Sequence, residues 1–95
     1  MPNIIKFPTG AQRSGDAESE RYDLTTPIGL RRLAQTDAEG AMKHGERNWE
    51  LGMPASALVN HAVRHINLWM DGDDSEDHLA HAAWNLLGLM HFEET

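Results

Sequence analysis

The residues best equipped for chemistry lie in the second half of the chain. His78-Leu-Ala-His-Ala-Ala-Trp-Asn85 sets two imidazoles and a carboxamide in an otherwise apolar run. At about 100° per residue, His78, His81 and Asn85 share one edge of a helix. Neutral imidazole ligates metals and carries protons. That edge is therefore either a solvated stripe or the wall of a polar cavity. Upstream, His61 and His65 stand four residues apart, a spacing from which two imidazoles can reach one ion. The connector Asp71-Gly-Asp-Asp-Ser-Glu-Asp77 crowds carboxylates beside His78. Those are the oxygen donors that Mg²⁺ requires, or else a solvated acidic turn.

A second group is cationic. Lys43, Arg47 and Arg64 accompany Asn48 and Trp49 around Lys43-His-Gly-Glu-Arg-Asn-Trp49. An ammonium and forked guanidinium donors suit phosphate, and an indole offers a flat face for a base. Packing tryptophans and ordinary surface arginines would leave the same trace. Asp37 falls at the middle of an apolar helix face, where a carboxylate must find a partner or be pushed towards its neutral form.

The elements that must position these groups are helical. Thr26-Pro27 reads as an N-cap with proline at the first helical position. Leu30, Leu33, Ala34, Ala38 and Ala41 recur at helical spacing, and Gly45 reads as a left-handed stop. A second helix is predicted from about Pro54 to Met70, with Leu58, Ala62, Val63, Ile66, Trp69 and Met70 on its apolar side. Ser75 or Asp77 is expected to cap a third helix that holds both histidines of the opening motif. No strand alternation is evident. The expected fold is all-α: a compact three-helix domain over residues 21–95, preceded by a flexible N-terminal arm over residues 1–20.

Ninety-five residues allow one small domain with a thin stability margin. No cysteine is available for a disulfide or a thiolate metal site, so completion by oligomerisation is expected. A formal charge of −7 argues against non-specific nucleic-acid binding. No apolar run approaches a membrane span, and the first residues lack the pattern of a secretory signal. A cytoplasmic protein is expected.

The ordered pieces Arg21-Tyr-Asp-Leu24, Ala38–Pro54, Arg64–Trp69 and Asp73–Leu89 together resemble the dATP/dGTP diphosphohydrolase family (N-terminal domain type), encoded mostly by phages and prophages. The likeness spans roughly residues 21–92. Its most specific parts are the Gly-Ala-x-Lys-x-Gly-x-Arg-Asn-Trp turn and the His-Leu-Ala-x-Ala-x-Trp-Asn helix. The resemblance implies hydrolysis of a purine deoxynucleoside triphosphate to monophosphate and pyrophosphate in the host cytoplasm, with a divalent cation, Mg²⁺ or Mn²⁺. The paired ExxE and ExxD carboxylates of MazG-type all-α pyrophosphatases have no counterpart here.

On this reading Lys43, Arg47 and Arg64 hold the phosphates, and Trp49 or Tyr22 stacks on the purine. Asn48, His81 and Asn85 complete the substrate contacts. Asp77, His78 and His65 are the expected catalytic groups, and Asp74, Asp77 and His78 the expected metal ligands. The alternative is a non-catalytic, homo-oligomeric nucleotide-binding protein that sequesters a nucleotide or a cyclic nucleotide signal.

Overall fold

The computed structural model describes residues 4–15 and 19–95. Three helices make up most of it: α1 (Pro27–His44), α2 (Ala55–Met70) and α3 (His78–Glu94). Local chemistry fixes their ends. The Thr26 hydroxyl accepts from the Gly29 amide at 3.3 Å to open α1. Gly45, at φ 91°, closes it by donating its N–H to the Ala41 carbonyl. Lys43 and His44 occupy the last turn, where cations meet the unpaired carbonyls. A 3-10 turn over Asn48–Leu51 leads to α2, whose N-cap is Pro54. Of the two expected caps for α3, Asp77 takes the role and accepts from the Ala80 amide at 3.2 Å.

The arm contains an element that its sequence did not reveal. β1 (Ile4–Lys6) pairs antiparallel with β2 (Gln12–Ser14), Ile5 lying opposite Arg13. The turn between them carries Gly10 at φ 92°, a conformation open to glycine. Strands of three residues are too short for a two-residue period to be legible.

α2 and α3 form an antiparallel hairpin: Leu58 lies beside Gly88 at one end, and His65 bonds His78 at the other. α1 packs on α3 and stands off α2. Apolar burial is slight. Among the described residues only Leu58, Ala62, Ala80 and Ala82 are buried apolar side chains, and they are joined inside by Thr36, His65, His78 and Asn85.

This arrangement resolves the orientation of α3. Its polar edge faces inward, with His78 and Asn85 buried, because both other helices lie on that side. Its apolar girth faces outward instead. Leu79, Leu86 and Met90 are exposed on α3, as are Val59, Val63, Ile66 and Met70 on α2. Val59, Val63 and Ile66 on α2, and Leu79 and Leu86 on α3, each follow a buried residue by one position, a rotation of about 100°. For antiparallel neighbours that rotation turns both rows to the same side. The hairpin therefore has one face under α1 and the opposite face bare.

Candidate functional site

The gap between α1 and α2 is a cleft of about 510 Å³ floored by α3. Lys43, Asn48, Trp49, Arg64, His65, His81 and Asn85 all line it. Each helix contributes for a local reason. Lys43 sits in the last turn of α1, and Asn48 and Trp49 occupy the 3-10 turn that follows. Arg64 and His65 come from the side of α2 turned towards α1. His81 and Asn85 are one turn apart on the inner edge of α3. Thr36, Asp37, Glu39 and Glu76 add oxygen atoms to the same walls.

Behind the cleft lies a relay of three side chains. The His78 Nε2 is 2.7 Å from Asp73 Oδ1, and its Nδ1 is 2.9 Å from the Nδ1 of His65. The Ser75 hydroxyl and amide also donate to Asp73 Oδ1, at 2.6 and 3.0 Å. These bonds, the Ser75 hydroxyl first and then the His78 ring, hold the Asp73 carboxyl down to about 2. An ionised carboxylate only accepts, so the Nε2 of a neutral His78 carries the proton. Its Nδ1 then accepts from the His65 Nδ1–H, which leaves a lone pair on His65 Nε2. Burial lowers the His65 pKa, and the neighbouring His81 lowers it further. The third imidazole, His81, has its ring 4.8 Å from that of His65 and its Nε2 3.6 Å from Glu39 Oε2.

One atom each from His65, Glu76 and His78 lie within 4.8 Å of one another, so this trio could hold a metal ion. Two imidazoles and one carboxylate suit Mn²⁺, Co²⁺ or Zn²⁺ better than Mg²⁺, which favours an all-oxygen shell. The Asp73 bond to His78 is the kind of outer contact that fixes a ligating imidazole. An ion bound to both rings would replace their mutual hydrogen bond.

Other expected site residues stand elsewhere. Asp77 is outside the trio: Arg32 donates to both its oxygens, at 2.8 and 2.6 Å, and holds its carboxyl down to about 2. With its Oδ1 also capping α3, Asp77 serves to dock α1 on α3. Asp74 is exposed and also lies outside the trio. Tyr22 is exposed, lines neither cleft, and donates its hydroxyl to Glu20. Arg47 pairs with Glu50 at 3.0 Å and lines a neighbouring cleft of about 610 Å³, which shares Trp49 with the first. There the Trp49 indole meets the His91 ring edge-on, with centroids 4.9 Å apart. Arg47 also has φ 58° and ψ 24°, a left-handed conformation uncommon for a residue with a side chain.

Asp37 finds its partner in Trp84, whose Nε1 donates to it at 2.9 Å. Arg32 was the contributor least evident in the sequence, while Asp73 and Glu76 were among the connector carboxylates expected to serve a metal, and of these Glu76 joins the trio. Arg32 had no signal beyond its charge, since its partner lies 45 residues away. Asp73 had one: an Asp-x-Ser turn folds its carboxylate back onto the start of α3.

A family model described as dATP/dGTP diphosphohydrolase, N-terminal, matches residues 9–95. The match takes in β2 as well as the helices. No curated protein and no solved structure matches.

Proposed function

Because the chain belongs to the N-terminal dATP/dGTP diphosphohydrolase family, we propose that it hydrolyses a purine deoxynucleoside triphosphate in the cleft between α1 and α2. The supporting observation is that cations, an indole and imidazoles from all three helices and the 3-10 turn line one cavity of about 510 Å³. That volume is in the range of small-ligand sites. Lys43 and Arg64 supply charge and donors to the triphosphate. Trp49 offers its face to the purine, and Asn48 supplies a carboxamide for polar contacts to it. Asn85 gives an Nδ2–H to the His81 carbonyl at 2.8 Å, which leaves its side-chain oxygen to accept from the substrate.

In the reaction, a water oxygen bonds to the α-phosphorus and the bond to the bridging α–β oxygen breaks. His81 takes the water proton, steadied by the Glu39 carboxylate. Pyrophosphate leaves against Lys43 and Arg64, and the monophosphate stays with Trp49 and Asn48. A divalent ion on His65, Glu76 and His78 would supply an activated water and offset charge on the phosphates. Positioning and neutralisation carry most of the rate in such phosphoryl chemistry.

One observation favours the second reading, a nucleotide-sequestering protein without turnover. Asp73 and Asp77 are committed to His78 and Arg32, so Glu76 alone brings a carboxylate to the trio. The deciding experiment incubates purified protein with each deoxynucleoside triphosphate and Mn²⁺, Co²⁺, Zn²⁺ or Mg²⁺, and measures monophosphate and pyrophosphate by ion exchange. Turnover of dATP or dGTP that disappears in Lys43→Ala and Arg64→Ala supports hydrolysis here. Tight binding with no product under any of the metals supports sequestration. Turnover untouched by both substitutions removes the cleft as the site.

A further inference from the structure

The bare face of the α2–α3 hairpin has a spacing of its own. Val59, Val63, Ile66 and Met70 follow one another at intervals of four, three and four residues. Leu79, Ala83, Leu86 and Met90 repeat the same intervals on α3. That is the a/d rhythm of helices that pack against other helices. The larger side chains of this face are between 39% and 70% exposed, while the buried interior is one leucine and three alanines. The apolar content of the hairpin is therefore mostly outside it.

From these observations we infer that the bare face docks on the same face of a second copy of this chain, making a four-helix bundle with the two clefts on its outer sides. Four arguments select a second copy. Between His78 and Phe92 there is no Lys, Arg, Asp or Glu, and α2 has Arg64 alone, on the cleft side. The face therefore presents no like charges to its own image, although the chain carries −7 overall. The exposed fractions amount to an apolar area on the order of 600 Å² per copy, or ~1,200 Å² for a pair, which reaches the size of stable interfaces. Matching heptad intervals on both helices let each row meet a row of equal spacing. An anionic lipid surface is disfavoured, because Asp71, Asp73 and Asp74 border the Met70 end of the face.

The test uses the full chain at micromolar concentration. Light scattering coupled to size exclusion gives the mass, and circular dichroism reports the helices. An assembly with an even number of chains is expected, falling to a monomer in Val63→Lys/Leu86→Lys. A helical wild-type monomer would overturn the inference, as would an unchanged assembly in the double variant. Should that variant unfold, the cysteine-free sequence permits a second route. Val63→Cys or Leu86→Cys is expected to form a covalent dimer with a short bis-maleimide, whereas Met42→Cys on α1 is not. Cross-linking at position 42 with none at 63 or 86 would place the contact elsewhere. Nucleotide binding by a dissociated, folded double variant separates this inference from the functional proposal, since the cleft lies on the other side of the hairpin.

Discussion

Replacing glycines inside the helices by alanine gives a prediction whose magnitude depends on what each new methyl meets. Gly88 lies in α3, and a Cβ there would contact Leu58 Cδ1 and Cδ2, both at 3.7 Å. Those are ordinary van der Waals distances, and Leu58 is the largest fully buried side chain. Gly88→Ala therefore gains helix propensity without a clash, a stabilisation of about 1 kcal/mol. Gly29 sits in the first turn of α1, and its Cβ would lie 2.6 Å from Thr26 Cγ2. The threonine must rotate, which sacrifices the cap it gives to the Gly29 amide. Loss of a cap costs about 1 kcal/mol and offsets the propensity gain. Gly29→Ala should thus be close to neutral. Gly88→Ala should raise the melting temperature by about 4–8 °C, the usual response of a domain this size to 1 kcal/mol. The assay is thermal unfolding followed by circular dichroism at one fixed protein concentration, because association shifts the midpoint. If Gly88→Ala melts below wild type, or Gly29→Ala stabilises as much as Gly88→Ala, the packing described around Leu58 and Thr26 is wrong.

Gly40→Ala meets nothing within 4 Å and lines the cleft, so it should stabilise by a similar ~1 kcal/mol while weakening nucleotide binding measured by calorimetry. Asp77→Ala removes the α3 cap and the Arg32 partner together, and a loss of about 1–2 kcal/mol is expected in urea unfolding. Asp73→Asn removes the carboxylate behind His78 and should weaken Mn²⁺ or Zn²⁺ binding by about 10-fold or more in titration calorimetry, with α-helical content unchanged. Arg47→Gly should be more stable than Arg47→Ala by about 1 kcal/mol, since only glycine adopts a φ of 58° without strain. Equal stability of those two variants would show that the turn relaxes.

Much of the helical framework was legible because its punctuation is local. Thr26-Pro27, Gly45, Pro54 and Asp77 each act within a few residues of themselves, and each marks a boundary in the structure. The β1–β2 hairpin was not legible, because its pairing spans too few residues to impose a period. The side on which α3 is buried was also hidden. Apolar periodicity identifies a helix with a greasy face, but it does not say whether that face meets its own chain or something outside it. Here the polar edge points inward, and His78 and Asn85 are enclosed by helices distant in sequence. The same limit applied to the acidic connector. Within seven residues, mostly acidic, the carboxylates end in different fates, Asp73 against His78, Glu76 towards the imidazoles and Asp77 against Arg32. Only the geometry of the turn distinguishes them.

The way α1 is attached has a mechanical consequence. Its links to α3 include the Arg32–Asp77 ion pair, the Asp37–Trp84 bond and the nearby Glu39–His81 pair, and Thr36 is its only buried residue. Polar latches of this kind hold a wall in place with little oily contact to tear when it tilts. On the proposed function, a wall held this way would let the gap beside it adjust to a guest at small energetic cost. Lys43 stands at the end of α1 that the 3-10 turn ties to α2.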